Sequence, residues 1–259
     1  MIANRRSVRP IATGTVSSRP PPSSNKLLAA LPPADYLRIL PSLRNIPIKF
    51  KQVLQKQGEK VTNVYFPASC VCSIVNVMKD GRMVEVATVG NEGMIGITAF
   101  LGGEFPPGET FVQVPVPGGE SQVMSVAAFR QELDRHGPFQ DLMNRYAQAL
   151  TAMIMQSTAC NGLHSVEERC ARWLLMTHDR LERDDMPITH EFMGVMLGTR
   201  RPGVTLAVQM LEGVGAIRAT RGHITLRDRE KLEQLAGQSY GFAEKEYSNV
   251  FQFPIKRGG

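Results

Sequence analysis

The spacing of apolar residues along the chain changes period twice. Between Ile46 and Phe129, short runs rich in Val, Ile, Phe and Thr alternate with turn signals such as Lys79-Asp80-Gly81 and Pro117-Gly118-Gly119. These runs predict strands over residues 61–66, 71–78, 83–89, 110–116 and 120–126. Short strands so spaced predict a compact antiparallel β-roll of the jelly-roll kind. Ahead of them, Tyr36, Leu37, Leu40 and Leu43 share one side of a short helical stretch over residues 27–43, with Pro32-Pro33 suiting a first turn.

From residue 138 to 160 the period becomes helical. Phe139, Leu142, Tyr146, Ala149, Met153 and Cys160 recur at three- and four-residue spacing with only Gln156 polar on the seam, and Met143, Leu150 and Ile154 widen it. Two readings of this seam are open: packing on the barrel of its own chain, or pairing with the same helix of a second copy. The second is the expectation adopted, with Phe139, Leu142, Tyr146, Ala149, Leu150, Met153 and Cys160 as dimerisation residues. Asn161-Gly162 is expected to break the helix and form a hinge.

The remainder reads as mostly helical to about Gly237. Ser165 and Glu168 fit a capping box ahead of an apolar run. Thr189 fits the N-cap of a helix over residues 190–197, Gly198 the turn, and Val204, Ala207, Val208 and Leu211 the buried face of the next helix. That is the spacing of a helix-turn-helix, and two short strands joined at Thr220-Arg221-Gly222 follow as a wing. The fold class is therefore α+β: an N-terminal β-roll, a long helix and a C-terminal winged helix-turn-helix. The boundaries are a basic disordered arm (1–25), a β-roll sensor domain (26–136), the long helix (137–161), the winged domain (162–237) and a C-terminal tail (238–259).

Charge matters only once it is located. The net +6 is nearly all in residues 1–26, where Arg5, Arg6, Arg9, Arg19 and Lys26 meet no acid. The body is close to neutral, yet between Val195 and Arg227 five arginines (Arg200, Arg201, Arg218, Arg221, Arg227) face the single acid Glu212. An arginine opening such a helix offers two parallel donors to guanine in the major groove, and Arg201 is assigned that role. The expected DNA-contacting set is Thr189, His190, Thr199, Arg200, Arg201, Gly203, Thr205, Gln209, Arg221 and His223, with Thr189 and His190 meeting a phosphate at the first helix's N-terminus.

In order and in residues, these parts resemble the Crp/Fnr superfamily of bacterial transcription regulators over roughly residues 27–236. The match is strongest from Thr189 to Thr205, through Glu191, Gly194, Gly198, Arg200, Arg201 and Gly203, and continues at Met210-Leu211-Glu212 and Gly222-His223-Ile224. The resemblance implies a homodimer, joined through the long helix, on double-stranded DNA with two-fold symmetric half-sites, with RNA polymerase a prospective further partner. It also implies a sensor related to cyclic-nucleotide-binding domains. Here the sequence departs: Ile95-Gly96-Ile97 lies where the nucleotide cassette has Gly-Glu, and Glu109-Thr110 lies near its Arg-Ser pair. An isoleucine cannot hydrogen-bond a ribose, and a glutamate repels a cyclic phosphate, so cAMP and cGMP are not expected. The recognition helix differs too, since the cAMP receptor protein has Glu where Pro202 stands and Arg where Leu206 stands.

Other chemistries are poorly supplied. The first 69 residues hold no cysteine, so Cys70 and Cys72 cannot complete the four thiolates of an iron–sulfur site. Core packing is the expectation for them, as reduced thiols, although a strand puts both on one face. A cupin-type metalloenzyme needs barrel histidines, and His136, His164, His178, His190 and His223 all lie outside the β-rich segment. No enzyme activity, cofactor or metal is expected, no run reaches the ~20 apolar residues of a membrane span, and the start lacks a secretory core, giving a cytoplasmic expectation. The rival function is a ligand-binding or scaffold protein whose winged helix mediates protein interaction.

Overall fold

The computed structural model describes residues 23–115, 119–181 and 183–251. Two antiparallel sheets make up the roll. One contains β1 (Arg44–Pro47), β3 (Asn63–Pro67) and β7 (Glu120–Ser125) in the order β1-β7-β3; the other contains β2 (Val53–Gln55), β4 (Cys70–Val77), β5 (Met83–Val89) and β6 (Glu109–Pro115) in the order β2-β6-β4-β5. Val64, Phe66, Val71, Val75, Ala87, Val89, Val112 and Val114 are buried within it, as the runs of β-branched residues require. All five predicted strands are present, the one over residues 83–89 with the expected ends and the other four with shifted ends. The missed β1 and β2 are short, and β1 is largely exposed, so neither has an apolar alternation to read.

The helices are α1 (Lys26–Ala29), α2 (Pro33–Ile39), α3 (Ile97–Phe100), α4 (Val126–Leu133), α5 (Pro138–Leu163), α6 (Val166–Arg180), α7 (His190–Met196), α8 (Arg201–Gly213), α9 (Arg229–Ala236) and α10 (Phe242–Phe251), with the strands β8 (Asp185–Met186), β9 (Ile217–Thr220) and β10 (His223–Leu226) among the later ones. Several expectations are corrected. The stretch over residues 27–43 is divided at Pro32-Pro33, where Pro33 opens α2. The last strand of the roll stops at Ser125, whose hydroxyl accepts from the Ala128 N–H and starts α4. Most of the expected arm, residues 1–22, lies outside the described residues, as does the turn at Pro117-Gly118. The arm's last residues are bonded to the roll: Ser23 donates to Gln122, and Asn25 caps α1 while its amide donates to the carbonyls of Pro67 and Gly93.

The expected C-terminal tail contains α10, whose Ala243, Tyr247 and Phe251, four residues apart, are buried. It packs on α5. That helix runs through the expected break at Asn161-Gly162 to Leu163, and the Ser165–Glu168 capping box then starts α6 as the sequence indicates. Gly162 costs helix stability but does not end the helix, because the following cap lies beyond it.

The apolar seam of α5 faces inward. Phe139, Leu142, Tyr146, Ala149, Leu150, Met153 and Cys160 are each no more than 2% exposed within the single chain. Phe139 meets Phe129 of α4 edge-on at 5.5 Å, Tyr146 donates to the Met94 carbonyl at 2.7 Å, and its ring lies 6.5 Å from that of Tyr247 on α10. Within the single chain these side chains pack α5 against its own roll and α10, and Cys160 lies against the Ser239 carbonyl.

The winged domain is docked on the roll rather than suspended from α5. Trp173 Nε1 donates to Glu85 at 2.9 Å, Gln113 donates to Thr177 at 3.0 Å, and Arg180 pairs with Glu92 at 2.8 Å with both side chains nearly fully buried. The Phe192 ring of α7 lies 6.1 to 6.3 Å from the rings of Phe50, Phe111 and Trp173. All four cysteines are free and buried; Cys70 and Cys72 have their sulfurs 3.8 Å apart, and the contact with Cys70 together with burial pushes the Cys72 thiol up. No helix among the described residues is long and apolar enough to cross a membrane.

Candidate nucleic-acid interface

Three local features build the helix-turn-helix. Thr189 caps α7, its hydroxyl accepting from the Phe192 N–H at 3.1 Å. Gly198 holds the turn at φ +60, a conformation in which a Cβ is strained. Gly194 brings the two helices close: a Cβ there would lie 3.1 Å from the Thr199 carbonyl oxygen. The sequence reading missed Gly194 as a packing residue, and its signal was a glycine inside an otherwise helical pattern.

Helix α8 has its register fixed by Val204, Ala207, Val208 and Leu211, all at most 1% exposed. The opposite side carries Arg201, Pro202, Leu206 and Gln209, all exposed. Arg200 is the N-cap and no side chain caps the helix start; Pro202 brings no N–H to the first turn, and the Gly203 N–H donates to the Arg200 carbonyl at 3.0 Å. Gly203 lies half-buried in that first turn, beside Thr199.

Besides Thr189, three of the expected contact residues have internal duties: Thr205, His190 and His223. Thr205 donates to the Arg201 carbonyl at 3.1 Å and lies 3.2 Å from His190 Nδ1, so this pair joins α7 to α8. In the wing, β9 and β10 pair through Thr220 and His223 across the two-residue loop Arg221-Gly222, with Gly222 at φ +77. His223 is held by Asp185 at 3.1 Å, and Asp185 belongs to β8, a third strand beside β10 that was not anticipated. Glu212, the acid of this stretch, accepts from the Ala219 N–H at 3.0 Å and ties α8 to the wing.

The electrostatics follow from this placement. Arg200, Arg201, Arg218, Arg221 and Arg227 are all exposed, while the carboxylate of Glu212 is engaged with backbone. Gly198 of the α7–α8 turn packs on Val84 of β5, and beside this contact lies a groove of 960 Å³ lined by Arg82, Arg169, Arg200 and Arg201 and by one carboxylate, Glu191. Such a predominantly positive surface attracts a polyanion and suits phosphate contacts.

Residues 168–235 match the family model of the Crp-like helix-turn-helix domain. No curated protein matches the chain. In fold, it is similar to FixK2 from Bradyrhizobium japonicum at 16% identity, with 75% of this chain and 98% of that one covered and a TM-score of 0.65. It is similar too to the CRP-family regulator TTHB099 from Thermus thermophilus (19%; 75% and 97%; TM-score 0.61). A third such structure is the CRP/FNR-family regulator TTHA1359 of the same organism (16%; 74% and 98%; TM-score 0.56). At these identities the likeness is one of fold.

Proposed function

As a Crp/Fnr-type regulator, with a Crp-like DNA-binding domain on the fold of that group, this chain acts, we propose, as a homodimer on a two-fold symmetric operator and takes its signal from something other than cAMP. The observation that carries the DNA reading is the exposed face of α8 and the wing, where five arginines surround a helix whose buried side leaves it no rotational freedom. Arg201 reads guanine, Gln209 adds a base contact, and Thr199, Arg200 and Arg221 meet backbone phosphate. Thr189 and His190 lie at the start of α7, where a phosphate also fits.

The dimer contact belongs on the outer side of α5, since the inner seam is occupied. Asn144, Gln148, Thr151, Met155, Thr158 and Gly162 are exposed and alternate at four- and three-residue spacing, the repeat of a paired helix. Thr151 and Thr158 donate their hydroxyls to the carbonyls one turn back, at Ala147 and Ile154. Their methyl groups are thereby left for packing. RNA polymerase is a further partner where the operator adjoins a promoter.

The nucleotide cassette supports a different signal. Ile97 opens α3 with its side chain packed against the core, and Glu109 lies in β6 opposite Val75, so neither offers what a cyclic phosphate or ribose needs. The experiment is selection of bound duplexes from a random pool by purified protein, with and without cAMP or a metabolite extract. A palindromic consensus indifferent to cAMP is the expected result; no enrichment under any condition would leave the winged domain as a protein-interaction surface.

A further inference from the structure

Leu206 is 64% exposed, an uncommon place for a large aliphatic side chain beside Arg201, Thr205 and Gln209. The helix cannot turn to hide it, because Val204, Ala207, Val208 and Leu211 are already buried on the other side. Pro202, Leu206, Gln209 and Gly213 are exposed and follow one another at spacings of four, three and four residues. They form the line of α8 that points directly away from its own domain. A recognition helix in the major groove turns such a line toward the base edges.

Leucine has no donor or acceptor for those edges, and the apolar group they display is the C5 methyl of thymine. Resting on the DNA-binding reading, we infer that Leu206 is a specificity-determining residue that packs on a thymine methyl, so that each half-site holds a thymine under the middle of α8. The selection works in both directions. Contact with the methyl takes apolar surface on both partners out of water, whereas a cytosine or adenine amino group brought against the leucine loses hydration with no acceptor in return.

The test uses the full chain and the duplex recovered by selection, with each thymine of a half-site replaced in turn by deoxyuridine, which pairs identically but lacks the methyl. One replacement is expected to weaken binding about four-fold, which corresponds to ~0.8 kcal/mol for one buried carbon group. Leu206→Ala is expected to bind the thymine and uracil duplexes equally while keeping its affinity for non-specific DNA, which reports an intact fold and wing. The inference is overturned if no replacement affects the unaltered protein, or if the same penalty persists in Leu206→Ala. Failure to recover any preferred sequence would instead overturn the DNA-binding reading beneath it.

Discussion

Arg201 and Arg221 are both exposed and both belong to the interface proposed for DNA, but one opens α8 and the other lies in the wing loop. Their removal should therefore have different signatures. Arg201→Ala is expected to lose about 1–3 kcal/mol of discrimination at one base pair, measured by competition between operator variants. Arg221→Ala is expected to weaken all sequences alike and to lower the slope of log affinity against log salt by about one, measured by titration at several salt concentrations. The exposure of Arg201 was legible in sequence because the buried stripe of α8 determines which residues stay outside. The duties of Thr205 and His190 were not. Their mutual contact depends on the angle between α7 and α8, which Gly194 and Gly198 set through close approach and a left-handed turn.

At the scale of elements, α5 carries two seams, and the more apolar one attracts the dimer assignment. It is the inner seam, consumed by the roll, α4 and α10. Met155, 67% exposed on the outer seam, is the better lever: Met155→Arg should raise the dimer dissociation constant, as followed by sedimentation, while leaving the thermal transition of the monomer within about 0.5 kcal/mol, as surface substitutions do. The C-terminal helix offers the converse test. Ending the chain after Gly241 removes α10 and uncovers the Tyr146 side of α5, so urea unfolding should occur at lower denaturant, by several kcal/mol if Tyr247 and Phe251 behave as buried aromatic residues usually do. An unchanged midpoint would mean that α10 contributes nothing to the core. Helix α10 was missed because its buried apolar residues Ala243, Tyr247 and Phe251 lie within a short segment, half of it polar, whose inward face is identifiable only by what it covers.

At the scale of the whole molecule, the roll and the winged domain share a buried polar and aromatic boundary centred on α6. Glu85 is its most sensitive point: it is buried, accepts from Trp173 and Thr88, and has a second oxygen with no partner among the described residues. Burial pushes its carboxyl above the ordinary value of 4.5. A folded state with a raised carboxyl binds the proton more readily than the unfolded chain, so this group's contribution to stability falls as pH rises from about that ordinary value through the raised one. Glu85→Gln keeps an oxygen for both donors and removes the titration. Its stability relative to the unaltered protein should rise with pH across that window and level off above it, as read from unfolding curves at a series of pH values. A gap independent of pH would show that Glu85 does not titrate there.

The periods of the apolar residues, the caps at Thr189 and Ser165 and the glycine turn at Gly198 were enough to define the roll, the long helix and the winged helix-turn-helix, because each depends on neighbours a few residues away. The exposed arginines of α8 and the wing were likewise visible, since a buried stripe at helical spacing determines which residues remain outside. Tertiary structure alone decided that the inner seam of α5 belongs to its own chain, that α10 covers part of it and that Phe192 docks α7 onto the roll. Apolar periodicity reports how much surface must leave water and on which side of a helix. It carries no information on what does the covering, which is decided by contacts between residues tens of positions apart.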